Sequence, residues 1–248
     1  MKKHWKKLVT AVVAIAIVVV AGSFIYAKFI NKADDEFDTE DVKDLLNATT
    51  SVAPDAPVTT EAAGLETTVV PVVDDGVEGN WVIAEGSEVG YRVDESINGF
   101  DTTANGRTQA ITGTFTIGAT TVSAGEFTVD MTTFKSDKSR RDGQFDGRIM
   151  DVANFPTSTF VLTAPIDFQQ VPTGGTTITA SATGDLTLRG TTKSVTFDVD
   201  ATFANGRVGV LGRIPVLFSD FGIPNPSVAT ISTEDNGLLE FVLAFDRA

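Results

Sequence analysis

The sequence contains no cysteine, and its only histidine is His4. Without thiols there is no disulfide framework, no cysteine nucleophile, no thiolate metal site and no acylation site of the lipoprotein kind. With no imidazole beyond residue 4, His-dependent triads and His-rich metal centres are excluded from the rest of the chain. A pair of carboxylates could still act as acid and base, but nothing in the pattern says which two would meet. No cofactor or metal is implied. Trp and Tyr are scarce, two of each against seventeen Phe. Phe has no polar handle, so this balance points to a wholly apolar interior or lining. Basic residues are scarce where the folded mass lies: residues 80–248 hold twenty Asp/Glu against twelve Lys/Arg. Nucleic-acid binding depends on neutralising phosphates with Lys and Arg, so nucleic acid is not an expected partner.

The first thirty residues reverse that balance, with five Lys and no acid. Lys2, Lys3, Lys6 and Lys7 precede an uncharged run from Leu8 to Ala27, closed by Lys28. At ~1.5 Å per residue the run matches a ~30 Å hydrocarbon core. The basic flank on its N-terminal side places the C-terminal bulk outside the cytoplasm. Residues 1–30 therefore read as a single-pass anchor in the cell membrane with an extracytoplasmic C-terminal domain. The competing reading is a cleaved signal peptide, with Leu8–Val20 as its apolar region and Ala21-Gly22-Ser23 at the cut. Phe24, Ile25 and Tyr26 continue the apolar run and favour retention; export is common to both readings.

Residues 31–79 read as an acidic, disordered linker. Asp34-Asp35-Glu36, Asp38, Glu40, Asp41 and Asp44 open it, and a Thr/Ser/Pro-rich stretch follows. That composition buries too little apolar surface to fold alone, and its self-repulsion would extend it as a standoff from the membrane. Glu36–Leu46 carries a weak signal for a short helix. Asn47-Ala48-Thr49 fits a glycosylation sequon whose use depends on the host.

From Asn80 onward the pattern becomes short segments of period two separated by Gly, Asn and Asp, the mark of β-strands with one wet face. Examples are Val89-x-Tyr91-x-Val93, Phe115-x-Ile117, Phe127-x-Val129-x-Met131, Phe160-x-Leu162, Ile178-x-Ala180-x-Ala182, Val195-x-Phe197-x-Val199 and Phe241-x-Leu243-x-Phe245. Asn205-Gly206 is a hairpin signal because both positions tolerate positive φ, and Gly174-Gly175 is expected to turn the chain likewise. One stretch differs. Ser139-x-x-Asp142 resembles a helix start, Phe145, Ile149 and Val152 share a helical face, and Phe155-Pro156 ends it; one short helix is expected over 140–152. Many even strands with one helix favour an all-β fold, a closed antiparallel barrel over residues 80–248, with a flattened two-sheet sandwich as the alternative. Asp198 and Asp200 lie on the wet face of their strand. Asp220-Phe221-Gly222 matches a kinase triplet without any of its companions, so the match is accidental.

The inward positions have two readings. Phe115, Phe127, Phe160, Phe197, Phe241 and Phe245 either fill a dry core or line a space, since a barrel of about eight strands can be solid or hold one ligand. Three segments then carry a family resemblance. The run from Arg141-Asp142 through Gln144 and Phe145 to Asp151-Val152, Phe155-Pro156 and Phe160 resembles the signature segment of the YceI-like proteins. Gly184-Asp185-Leu186-Thr187-Leu188-Arg189-Gly190-Thr191-Thr192-Lys193 resembles their second hallmark, and Ser219-Asp220-Phe221-Gly222-Ile223 the third. The three fall in the right order across the external domain.

That resemblance implies a lipocalin-like antiparallel barrel holding a long amphiphile, characteristically a polyisoprenoid or similar lipid, without catalysis. The ligand-contacting set it implies here is Phe115, Phe127, Met131, Phe160, Leu162, Ile178, Phe197, Phe218, Phe241 and Phe245. The protein would then be a lipid carrier or sensor at the membrane. The alternatives are a surface interaction module with a solid barrel, and a hydrolase or isomerase acting on bound lipid through carboxylates. Where many relatives carry His, this chain has Glu88 and Gln144, which puts any His contact to a metal or head group in question. Arg141 and Asp142 are expected to pair or to cap the helix, and Arg189-Gly190 to make a hairpin turn.

Overall fold

The computed structural model describes residues 2–30, 33–48 and 76–248; of the linker expected over 31–79, residues 31–32 and 49–75 lie outside the described residues. Helix α1 (Lys2–Ile25) continues as a π turn over Tyr26–Ile30. Its stretch Trp5–Lys28 is long and apolar enough to cross a membrane, and its most apolar 18-residue window is not buried inside the fold.

Among the described residues the C-terminal part forms twelve strands. In chain order they are β1 (Gly79–Ile83), β2 (Glu88–Ile97), β3 (Phe100–Thr108), β4 (Ile111–Gly118), β5 (Thr121–Asp130), β6 (Thr157–Leu162), β7 (Ile166–Asp167), β8 (Thr177–Leu188), β9 (Thr191–Ala204), β10 (Arg207–Leu217), β11 (Ile231–Thr233) and β12 (Asn236–Arg247). Eight of them run in the antiparallel order β1-β4-β5-β6-β8-β9-β10-β12. The ring closes where β12 pairs back to β1, Trp81 opposite Arg247 and Ile83 opposite Phe245. Closure removes the free edges that a sandwich would keep, so the fold is the expected lipocalin-like barrel.

The hairpin residues behave as their chemistry predicts. Asn205-Gly206 and Arg189-Gly190 both have positive φ in each pair, as two-residue hairpin turns demand. Beyond the barrel end, β2 continues as a hairpin with β3 and also takes β11 on its other side, Ile97 pairing with both Phe100 and Ile231. Between β1 and β2 the chain turns at Ser87. Its hydroxyl donates to the Ala84 carbonyl at 2.8 Å and accepts from the Ala244 amide at 3.0 Å, so β12 keeps its hydrogen bonds across the gap.

The helix expected over 140–152 is shorter and starts differently. Helix α2 is the earlier element Thr39–Asn47, and α3 (Ser139–Gln144) gives way at once to a π turn over Phe145–Ile149. Lys138, not Ser139, occupies the cap position, without a side-chain cap bond. The Asp142 carboxylate instead accepts from the Ser136 amide (2.9 Å) and hydroxyl (2.6 Å). Arg141 reaches Asp137 and Glu95. The pair therefore ties α3 to the preceding loop and to β2.

The larger correction concerns the acidic opening of the linker. Residues 33–48 lie as a strap along the outside of the barrel. Asp38 and Asp41 start α2 reciprocally: Asp38 Oδ1 accepts from the Glu40 and Asp41 amides, and the Asp38 amide donates to Asp41 at 2.8 Å. A nine-residue helix is too short to persist alone in water, so docking holds it. Phe37, Val42 and Leu46 are each 3% exposed, packed on Leu211, Val242 and Ala244 from the outer faces of β10 and β12. Each such burial stabilises by about 1.5–3 kcal/mol. A side chain at Gly209 would collide with Val42 and Leu46; its absence lets the helix lie against β10. The polar half of the contact centres on Glu240, which is 0% exposed. It accepts from Arg107 (3.2 Å), Arg92 (3.5 Å) and the Phe37 amide (3.3 Å). Arg92, Arg107 and Arg213 in turn donate to the carbonyls of Asp34, Asp35 and Phe37. At the far end Arg207 holds the Leu45 carbonyl at 2.9 Å and pairs with Asp246 at 2.7 Å. Composition reads these acids as self-repelling, but Arg92 and Arg213 on neighbouring strands approach Glu36 at 3.8 and 3.7 Å, and strand arginines satisfy the strap's carbonyls.

Candidate functional site

The barrel is hollow. Its main chamber, about 190 Å³, runs from the end bearing the β4–β5 turn and is walled almost wholly by carbon. A second chamber of about 420 Å³ lies at the opposite end, between β2, α3, the π turn after it and the segment 226–231. Met131, Phe134, Leu188 and Leu239 line both, so the two chambers adjoin at this neck with these four side chains between them. Nine of the ten residues expected to contact ligand line the main chamber: Phe115, Phe127, Met131, Phe160, Leu162, Ile178, Phe197, Phe241 and Phe245. Phe218 lies in the second chamber instead, next to Val216, which lines that chamber from the end of β10.

The rings leave the lumen open because glycines let them lie back against the wall. Phe127 covers Gly113, Phe160 covers Gly184 and Phe241 covers Gly212, each glycine on a neighbouring strand and each pointing inward. A methyl group at any of the three would collide with its ring. The rings then meet edge to face: Phe160 with Phe197 at 5.5 Å, Phe197 with Phe241 at 6.1 Å, and Phe115 with Phe245 at 4.4 Å. Phe127, Phe160 and Phe241 face inward and yet keep part of their surface accessible. That combination marks a hollow interior, where a solid core would bury them.

The second chamber is mixed in character. Tyr91 stacks on Phe145 at 4.9 Å and leans on Phe134 at 5.9 Å. Its burial pushes the phenol well above the ordinary range, so it stays neutral. Lys138, Arg140, Arg141, Glu95 and Gln144 supply the polar rim. The neck is held from below by Asp130, whose carboxylate accepts from the Thr132 hydroxyl (2.6 Å) and amide (2.9 Å) and so shapes the turn carrying Met131 and Phe134. Those two bonds hold the Asp130 carboxyl below its usual range.

Residues 81–245 match the family model of the YceI-like domain. The chain belongs to the YceI-like family. A UPF0312 protein of Pseudomonas fluorescens strain SBW25 is 36% identical over 136 residues, which span 49% of this chain and 66% of that relative. Two solved structures share the fold. BcnA of Burkholderia cenocepacia has a TM-score of 0.51 and 21% identity, with 64% of this chain and 95% of BcnA covered. A polyisoprenoid binding domain from Saccharophagus degradans has a TM-score of 0.55 and 14% identity, with 69% of this chain and 99% of that domain covered.

The family's hallmark segments are structural in this YceI-like chain. Arg189, from the second, donates to the Gly222 carbonyl of the third at 2.7 Å and lies over the Phe155 ring of the first at 5.9 Å. Gly190 has positive φ and backs onto the same ring. Asp220 of the kinase-like triplet is exposed, as are Asp198 and the hydroxyl-paired face of Asp200. Of the two positions where relatives carry His, Gln144 lines the second chamber. Glu88 is paired opposite Val242 on the outer wall, away from the lumen. Desolvation raises its pKa; Arg107 opposes this, and Asp34, Glu240 and Asp41 add to it. Sequence periodicity missed Val77, Phe134, Phe168, Val171 and Pro172, which line the main chamber from loops. It missed Phe145 in the second chamber as a lining residue, although Phe145 stands on the predicted helical face.

Proposed function

We propose that this chain binds a long-chain lipid of polyisoprenoid type in its barrel, outside the cytoplasmic membrane, as a carrier or sensor rather than an enzyme. The observation that carries the reading is the pair of chambers adjoining at an apolar neck, with rings folded back on glycines to keep the lumen clear. The main chamber falls below the ~300–1,000 Å³ of ordinary small-molecule pockets, which suits a narrow chain better than a bulky body. Apolar burial contributes about 0.8 kcal/mol per CH₂, so a long tail binds firmly with few polar contacts. The Saccharophagus domain of the same fold is described as polyisoprenoid binding, which supports this ligand class. The anchor reading is supported by Trp5–Lys28, which is long and apolar enough to cross a membrane.

The test is native-state mass spectrometry of the chain from residue 33 onward, purified without detergent, with and without added C40 polyprenol. A retained lipid, or a one-to-one adduct with the polyprenol, is the expected result. An empty barrel that takes up no polyprenol would overturn the reading and favour a surface interaction module.

A further inference from the structure

The end of the membrane helix touches the barrel at its second chamber. Ser23 Oγ accepts from Asn98 Nδ2 at 2.8 Å, at the tip of the β2–β3 hairpin. Phe24 meets Phe100 edge to face at 5.5 Å, Ala27 is 4% exposed, and Tyr26 forms part of the chamber wall. Only Asn31 and Lys32 separate the described end of this helix at Ile30 from the strap, which begins beside the same hairpin. There Asp34 meets Asn105 at 3.0 Å and its carbonyl meets Arg92 at 2.8 Å. The anchor is thus followed by the clamp on Glu240, and residues 49–75 come after the strap. However long those residues are, they cannot act as a spacer between membrane and barrel.

From this, and resting on the reading of α1 as a membrane anchor and of the barrel as a lipid site, we propose that the second chamber is a loading port seated on the bilayer. Its rim is completed by Tyr26 of the anchor, and its ligand is a membrane lipid drawn directly from the adjoining leaflet. A chain fixed within two residues of a membrane helix has little freedom to lift away, since the three steps from Ile30 to Ala33 span at most ~11 Å. The polarity of the site fits that direction of travel. The end chamber has the polar rim of Lys138, Arg140 and Gln144 suited to a head group, and the main chamber beyond the neck has carbon walls suited to the tail.

The chain's lack of cysteine permits a clean test with the full-length protein in lipid nanodiscs. Thr230→Cys labels the rim of the port and Gln170→Cys the far end of the main chamber; both side chains are exposed. With a fluorophore on each and a nitroxide-bearing lipid in the disc, the Thr230 label is expected to be strongly quenched and the Gln170 label not. Twenty Gly/Ser residues inserted after Asn31 give a flexible tether of about 25 Å. That insertion should abolish the difference and slow uptake of fluorescent C40 polyprenol from the same disc about tenfold, as effective concentration falls with tether length. The same insertion after residue 60 should change neither. Equal quenching of the two labels, or unchanged uptake with the insertion after Asn31, would overturn the port. Retention of no polyprenol by any variant would overturn the lipid-binding reading instead, while the quenching pattern would still report the orientation.

Discussion

The two faces of β12 make opposite use of one strand. Leu239, Phe241 and Leu243 point inward and border empty space. Glu240, Val242 and Ala244 point outward and are fully covered by the strap. Packing is loose where binding is expected and tight on the side that alternation alone assigns to water. The inner wall gains its openness by pairing large rings with glycine, at the expense of buried contact. The outer wall regains stability by adding the short segment that follows α1 in the chain. A hollow barrel lacks the contacts of a filled one, and the strap supplies part of what is missing.

Breaking the outer face should have the largest effect. Glu240→Ala leaves Arg92 and Arg107 facing each other without their shared carboxylate, and loss of one partner of a buried ion pair typically costs about 3–5 kcal/mol. Urea unfolding should show that loss, while polyprenol affinity of the protein that remains folded stays unchanged. Leu46→Ala should cost about 2–4 kcal/mol, again without altering affinity, because Leu46 touches only the outside of the wall. A matching loss of affinity in either variant would mean that the two faces are coupled.

The inner face should respond in the opposite sense. Gly212→Ala drives the Phe241 ring into the lumen and should cost about 1–3 kcal/mol in stability. It should also weaken polyprenol binding about tenfold, or about 1.4 kcal/mol. Adding Phe241→Ala to that variant should restore binding, which a titration of labelled polyprenol would report. The smallest effect belongs to Glu88. Burial favours its neutral form, so the folded chain holds this proton more tightly than the unfolded chain. The associated stability is present below the unfolded value near 4.5 and is lost as pH rises through the raised folded value. Glu88→Gln should therefore raise the melting temperature at pH 7 and flatten the profile just above pH 4.5.

Much of the barrel was legible from local rules. The period of two in Phe115-x-Ile117 or Val195-x-Phe197-x-Val199 places side chains on one face whatever the surroundings, and Asn205-Gly206 makes its turn because few other residues accept positive φ twice. The main-chamber lining from strands was readable for the same reason. The lining from Val77, Phe168 and Pro172 was not, since loop residues carry no period. Phe218 belongs to the expected ligand-contacting set but faces the second chamber, because β10 passes from the main chamber at Ile214 to the second at Val216, and spacing alone does not show where one space ends and the next begins.

The strap shows the opposite case. Asp38 and Asp41 wrote a helix start, and Val242 and Ala244 wrote an apolar outer face. Neither signal names its partner, and the surrounding acids argued for an extended chain. The sequence by itself determined a strand-rich barrel, its hairpins and a segment able to span a membrane, all of which follow from residue type and spacing. Only the tertiary structure decided that the barrel is hollow, that Glu240 is buried under a strap, and that the π turn after α1 meets the second chamber. Those outcomes depend on which side chains meet across distant segments, and a ring lies back or fills the lumen according to a glycine one strand away.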